Sequence, residues 1–147
     1  MWTILSIGNK DPVWVESIIK HYDALLKPAY KIKYIDCYTK KSLSNIQEND
    51  LIQKNIPKKS YIIGLDILGL SYTSEKFAHK INNLMQTNYN ICFIIGGSEG
   101  LNSSTKELCN ELWSLSSLTM AHKLAKVILI EQLYRASCIL TKHPYHK

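Results

Sequence analysis

The sequence has no apolar run of the roughly 18 residues that a membrane-spanning helix needs, which argues against a membrane protein. Its first residues, MWTILSIGNKD, contain neither a basic segment nor a small-residue cleavage site, so we expect no secretion signal. The four cysteines lie far apart, without a CxxC pair or a histidine at metal-binding spacing. We therefore expect free thiols in a cytoplasmic protein, with no disulfide framework and no metal site.

Arginine is scarce, although the chain as a whole is basic. Only Arg135 among the 18 basic residues is an arginine, and the net charge is +6. A basic surface favours an anionic partner, most commonly nucleic acid. The alternative is a lysine-rich surface that only keeps the protein soluble. The 147 residues fit a single domain spanning 1–147, and no linker or repeat divides them.

Strand-like and helix-like patterns alternate along the chain. Apolar or alternating segments predict strands at 2–8, 30–38, 60–66, 91–95 and 113–119. Helical spacing of apolar residues predicts helices at 12–27, 43–56, 74–87, 103–112 and 122–142. The segment 30–38 alternates apolar and polar residues, which is typical of a half-exposed strand near a sheet edge. The alternation predicts an α/β fold with a mainly parallel sheet and helices on both faces.

Glycine is also scarce, and three of the six glycines fall within 96–100, directly after an apolar strand. Ligands of parallel sheets bind beyond the carboxyl ends of the strands, where this loop and the segments 65–69 and 115–122 are expected. The loop matches neither GxxxxGK[ST] nor a GxGxxG after the first strand, and Glu99 opposes a bound phosphate. It is therefore either a ligand-free tight turn or a contact for a neutral or cationic ligand, with Gly97 allowing close approach.

The last predicted helix is apolar nearly all round, which is typical of a core or a subunit interface. Glu131 and Arg135 interrupt it four residues apart, so they either pair or leave Arg135 facing an anionic ligand such as an RNA phosphate. The tail, HPYHK, offers Tyr145 for stacking on a base and His146 for moving a proton. A chain end without a role is the alternative.

Three segments resemble the RlmH family of SPOUT-class methyltransferases: IIGGSEGL, WSLSSLTMAHKLAKVILIEQLYRA and HPYHK. The resemblance covers the whole chain, from ILSIGNK through LDILG to the tail. It implies an α/β fold whose C-terminal segment forms a deep trefoil knot, a departure from the general absence of knots. It also implies S-adenosylmethionine bound in the knot, no metal, and a homodimer that pairs through the last helix.

The reaction that the resemblance implies is methylation of N3 of a pseudouridine in the helix 69 loop of 23S ribosomal RNA, on assembled ribosomes. Because the sulfonium of the methyl donor is positively charged, the negative charge of Glu99 would not oppose its binding. Two alternatives stay open. One is an inactive RNA- or ribosome-binding module on the same fold, and the other is a flavodoxin-like nucleotide binder, which the missing phosphate loop disfavours.

The resemblance also assigns residues by position. The implied cofactor contacts are Leu65, Gly97, Ser116, Ser117, Leu118, Thr119, Met120 and Ala121. The implied RNA and catalytic side consists of His122, Arg135, His143, Tyr145 and His146, with the tail crossing from the other subunit. His146 or a neighbouring water is the expected general base.

Four positions depart from the family pattern. Ser98 and Ala121 stand where proline is common, so we expect looser cofactor loops. Leu70 stands where lysine is usual, and Lys126 where arginine is common. We expect these last two changes to affect RNA docking rather than the class of reaction.

Overall fold

The computed structural model describes residues 1–87 and 90–147. In this part of the chain five strands form one sheet: β1 (Trp2–Gly8), β2 (Ile32–Tyr38), β3 (Ser60–Ser71), β4 (Asn90–Ile95) and β5 (Glu111–Ser114). The strand order is β2-β1-β4-β3-β5, and each neighbouring pair is parallel. The predicted α/β class and the edge position of the second strand are confirmed.

The helices cover both faces of this sheet. They are α1 (Val13–Leu25), α2 (Asn45–Asn55), α3 (Ser74–Gln86), α4 (Ser103–Leu108) and α5 (His122–Leu140). Helix α5 packs against α1 and α3 on one face, whereas α2 contacts α4 on the other. Ser44, Thr73 and Asn102 begin α2, α3 and α4 with side-chain caps. Such caps satisfy backbone N–H groups that have no partner within the helix.

The alternation of side chains along the central strands builds two cores. In β4, Phe93 faces the core under α1, α3 and α5, whereas Cys92 and Ile94 face the core under α2 and α4. Because both faces of the strand are buried, its sequence is apolar throughout. Among residues 1–87 and 90–147, no helix has the length and apolarity that crossing a membrane requires.

The predicted end of the fourth helix and the predicted range of the fifth strand are wrong, because residues in this part of the chain form hydrogen bonds with β3. Helix α4 ends at Leu108 instead of 112, and β5 covers Glu111–Ser114 instead of 113–119. The side-chain oxygen of Asn110 accepts a hydrogen bond from the backbone N–H of Ile62 at 2.8 Å. The N–H of Asn110 donates to the carbonyl of Ile62, also at 2.8 Å. These two hydrogen bonds to β3 end α4 early and start β5.

Strand β3 is also longer than predicted, because it pairs with β5 twice. Leu65 and Leu70 both lie opposite Trp113, so the residues between them bulge out of the ladder. Gly69 lies so close to β5 that a Cβ on it would be 2.5 Å from the carbonyl of Leu112. The segment LDILG is therefore an irregular part of β3 at the carboxyl end of the sheet.

Candidate functional site

The sheet brings the predicted cofactor segments to one edge. All strands run in the same direction, and β3 lies between β4 and β5. Leu65 in β3, Gly97 after β4 and the loop 116–121 after β5 therefore share the carboxyl edge of the sheet. That is where ligands of parallel sheets bind. The placement agrees with the sequence analysis, and the roles of these residues stay predictions.

The glycine loop is a tight turn with one open face. A Cβ on Gly96 would lie 2.4 Å from the carbonyl carbon of Gly100, and Gly100 has a φ of +76°. The N–H of Gly100 donates to the carbonyl of Gly97 at 3.0 Å, which closes the turn. A Cβ on Gly97, by contrast, would meet only the carbonyl oxygen of Ile7, at 3.8 Å. Gly96 and Gly100 serve the turn, whereas Gly97 leaves space for another molecule.

The loop between β5 and α5 exposes backbone groups. Ser116 folds it, since its hydroxyl accepts a hydrogen bond from the N–H of Leu118 at 3.0 Å. Its carbonyl accepts one from the hydroxyl of Ser114 at 2.8 Å. Ala121 stands at the N-cap of α5, and no side chain caps the helix there. Unpaired N–H groups at such a helix start can donate to a ligand.

A second feature of this edge is a crevice of about 310 Å³ between the loops that follow β1, β2 and β4. Gly8, Gly97 and His122 all line it. Gly8 has a φ of +134°, and a Cβ there would lie 3.4 Å from Nε2 of His122. The structure therefore brings a predicted cofactor contact and a predicted catalytic residue together in one crevice.

His122 lines this crevice and has a ring nitrogen without a partner among the described residues. Its Nε2 is buried and has no hydrogen-bond partner in the described part of the chain. Burial lowers the pKa of His122, the charge of Lys123 lowers it further, and Asp11 opposes the shift. The imidazole is therefore neutral at neutral pH, with a nitrogen available for a proton.

The C-terminal tail folds back onto α5. Arg135 donates to Oε1 of Glu131 from Nη2 at 2.7 Å, so these two residues pair as one of the two interpretations expects. The guanidinium also lies over the ring of Tyr145, 4.8 Å from its centroid. The hydroxyl of Tyr145 donates to Glu131 at 2.9 Å, and burial raises the pKa of this tyrosine.

His146 uses both ring nitrogens in this arrangement. Its Nδ1 lies 3.0 Å from Nη1 of Arg135, which can only donate, so Nδ1 accepts. Its Nε2 then carries the hydrogen that reaches Oε1 of Glu75 in α3, at 2.8 Å. The hydrogen bond from His146 lowers the pKa of Glu75. To act as a base, His146 would have to leave Arg135.

The predicted catalytic set does not converge within one chain. His122 lies at the crevice at the start of α5, whereas Arg135 follows thirteen residues later on the same helix. At the rise of an α-helix this separation is about 20 Å. Tyr145 and His146 lie with Arg135, and Nδ1 of His143 accepts a hydrogen bond from the N–H of Tyr145. Within one chain the predicted catalytic residues therefore lie in two separate places.

The expectation that Lys126 takes part in RNA docking is wrong. Lys126 is only 1% exposed, so it does not face an RNA partner. Its Nζ lies 2.6 Å from Asp11, 2.8 Å from Asp36 and 3.2 Å from the hydroxyl of Ser6. The sequence gives one sign of this burial, a lysine within an apolar helix. It does not identify the distant partners of that lysine. Among residues 1–87 and 90–147, no cluster of three or more metal-binding side chains occurs.

Comparisons with known proteins identify the family. The family model described as "Predicted SPOUT methyltransferase" matches residues 1–146. A protein of Legionella pneumophila (strain Paris), named ribosomal RNA large subunit methyltransferase H, is 42% identical over 99% of this chain and 97% of its own. A protein of the same name from Polynucleobacter asymbioticus is 39% identical over 99% of this chain and 97% of its own length.

Solved structures share the fold at low sequence identity. A probable methylase family protein from Haemophilus influenzae superposes with a TM-score of 0.59 at 13% identity, over 99% of this chain and 70% of that one. The SpoU methyltransferase AviRb from Streptomyces viridochromogenes, solved with the cofactor AdoMet, gives 0.50 at 14% identity, over 90% and 56%. The family match and the full-length relatives show that this chain belongs to the SPOUT methyltransferases, within the RlmH family of ribosomal RNA large subunit methyltransferases.

Proposed function

We propose that this chain is an S-adenosylmethionine-dependent methyltransferase that modifies N3 of a pseudouridine in the helix 69 loop of 23S ribosomal RNA, on assembled ribosomes. The observation that carries the proposal is the junction of Gly97 and His122 at one crevice. Gly97 would let the methyl donor approach the backbone closely, and Nε2 of His122 would take up the proton. The relatives named as ribosomal RNA methyltransferases support the substrate class.

The residues at the carboxyl edge fit S-adenosylmethionine. The open face of Gly97 would accept a flat or bulky group without moving the loop. Glu99 is exposed beside it and would favour the positive sulfonium. The backbone of the loop 116–121, which carries the uncapped start of α5, could read the polar edge of adenine. Leu65, on the neighbouring strand, would supply an apolar contact. When bound, the cofactor supplies an electrophilic methyl group.

The protein must also position the base and remove a proton. N3 of the base carries a hydrogen that has to leave before or while the nitrogen attacks. Neutral His122 would accept that proton at Nε2, which has no competing partner among the described residues. No covalent intermediate is needed, so positioning supplies most of the rate. Tail residues Arg135, Tyr145 and His146 would hold the RNA once a second subunit brings them near.

A homodimer would place such a tail there, and exposed apolar side chains support one. Val13 and Trp14, at the start of α1, are 76% and 47% exposed, and Leu124 in α5 is 45% exposed. The ion pair between Lys123 and Asp11, at 2.7 Å, brings these helix starts together. An exposed apolar patch of this kind is typical of a subunit interface. The trefoil knot stays a prediction.

The experiment is transfer of a labelled methyl group from S-adenosylmethionine to ribosomes that lack this modification, followed by nuclease mapping. Fully modified ribosomes serve as the control substrate. We expect label at N3 of one pseudouridine in the helix 69 loop and none in the control. Label at another nucleotide would overturn the proposed target. Cofactor binding without any transfer, or no cofactor binding, would indicate an RNA-binding module on a methyltransferase fold.

A further inference from the structure

The loop 39–44, which follows β2, forms one wall of the crevice. Its two ends are fixed. The N–H of Thr39 donates to the carbonyl of Gly8 at 2.9 Å, which ties the loop to β1. At the other end, Ser44 begins α2 with a reciprocal pair of hydrogen bonds to Gln47. The residues between these anchors are therefore held beside the crevice.

Lys40 and Lys41 are the charged residues of this loop, and both side chains are exposed. Neither has a hydrogen bond or an ion pair in the part of the chain that the structure describes. Lys123 and Lys126, on the helix that supplies His122, are by contrast paired with Asp11. The ammonium groups of the loop are thus free to bind an anion at the mouth of the crevice.

The rest of the lining limits what that anion can be. Glu48 and Glu99 also line the crevice, so its interior does not attract a small free anion. Glu48 accepts a hydrogen bond from Nδ2 of Asn102 at 3.3 Å. His122 also lines the crevice, and its Nε2 is buried. A nucleotide fits this polarity, because its uncharged base can enter while its phosphates stay outside on the lysines.

We propose that Lys40 and Lys41 bind backbone phosphates of the RNA substrate and so direct the target base into the crevice beside His122. The inference rests on the proposed function, because it assigns the RNA side of the same site. A lysine acts on phosphate as a point charge, and each neutralised phosphate adds salt dependence to binding. These two lysines are positioning residues and touch no reacting atom.

The test compares the double variant Lys40→Gln/Lys41→Gln with the double variant Lys58→Gln/Lys59→Gln. Lys58 and Lys59 are also an exposed pair, but they precede β3 at the opposite edge of the sheet. We expect the first variant to raise KM for ribosomes about tenfold, with kcat and the affinity for S-adenosylmethionine unchanged. The slope of log affinity against log salt should fall by about 1.4, the value for two contacts to single-stranded RNA.

Equal KM values and equal salt slopes in the two variants would overturn the proposal. Direct binding of a helix 69 RNA hairpin to both variants separates this failure from that of the proposed function. If the unmodified chain transfers no methyl group, weaker hairpin binding by the 40/41 variant alone still supports the phosphate contacts. Equal hairpin binding by both variants in that case would overturn them.

Discussion

Lys126 and Asp11 form an ion pair inside the protein, with Nζ of the lysine 2.6 Å from Oδ2 of the aspartate. The other oxygen of Asp11 accepts from Lys123 at 2.7 Å, and Asp36 in β2 lies 2.8 Å from Lys126. This cluster joins the start of α5 to the loop after β1 and to the edge strand. It therefore holds His122, the first residue of α5, over the crevice.

The first prediction concerns the lysine of this cluster. Lys126→Met should lower the free energy of unfolding by about 3 kcal/mol, because it leaves Asp36 without its counter-charge and Asp11 with Lys123 alone. Lys20→Met, at an exposed position of α1, should change it by less than about 0.5 kcal/mol. Urea unfolding of both variants measures the difference. Equal stability would show that the cluster is not held by Lys126.

The second prediction is the pH dependence of stability. Burial alone would raise the pKa of Asp11, but the hydrogen bonds from Lys123 and Lys126 outweigh it and the pKa is lowered. The folded state therefore gains stability from the carboxylate at any pH above the unfolded pKa of about 3.9. That gain is lost as the pH falls through the lower, folded pKa.

Melting temperatures of the unmodified chain and of Asp11→Asn, taken between neutral and acid pH, test this. The difference between the two should be largest at neutral pH and shrink below about pH 4. Asp50→Asn removes an exposed carboxylate of α2 and should show no such trend. A difference that stays constant into acid would contradict the assignment to Asp11.

These contacts explain which parts of the fold could be predicted. Strands β1 and β4 are apolar because both their faces are buried, so a local pattern is enough. The boundary between α4 and β5 depends on Asn110 bonding Ile62, 48 residues away. Lys126 reaches Asp36 and Asp11 across 90 and 115 residues. Neither partner leaves a local trace, so both features were missed.

The same limit applies to the site. Gly97 and the pair Glu131–Arg135 lie in short motifs, so the sequence predicts close approach at Gly97 and offers the ion pair as one of two interpretations. The buried nitrogen of His122 lies against Gly8, which is far away in the chain. The lysines at 40 and 41 belong to no motif, and only the structure places them at the crevice.

The third prediction separates two neighbouring glycines. Gly97→Ala should leave stability unchanged, because its Cβ has space, but weaken cofactor binding by filling that space. Gly96→Ala should destabilise the protein by about 1–3 kcal/mol, because its Cβ would collide with Gly100. Thermal unfolding with and without S-adenosylmethionine measures both effects. At 100 times Kd the cofactor should add about 2.7 kcal/mol to the unmodified chain. Full stabilisation of Gly97→Ala would place the cofactor elsewhere.

The fourth prediction concerns the tail. His146→Ala should lower kcat more than it lowers cofactor affinity, because His146 contacts Arg135 and Glu75 and lies away from the glycine loop. Glu75→Gln is the companion variant, since it alters the contact that holds His146 in one chain. Methyl transfer and cofactor titration measure the two effects. An unchanged transfer rate in His146→Ala would remove this histidine from the mechanism.

The last prediction is the pH profile of methyl transfer. Burial and the charge of Lys123 lower the pKa of His122, so the imidazole is neutral above that pKa and protonated below it. If neutral His122 takes the N3 proton, His122→Gln should reduce kcat about 100- to 10,000-fold at neutral pH. The ratio between the two rates should shrink as the pH falls below about 6.5, the ordinary value, because the unmodified chain then loses its base. His79→Gln changes an exposed histidine of α3 and should keep the full profile. A constant ratio across acid pH would show that His122 positions the target nucleobase and does not take the proton from its N3.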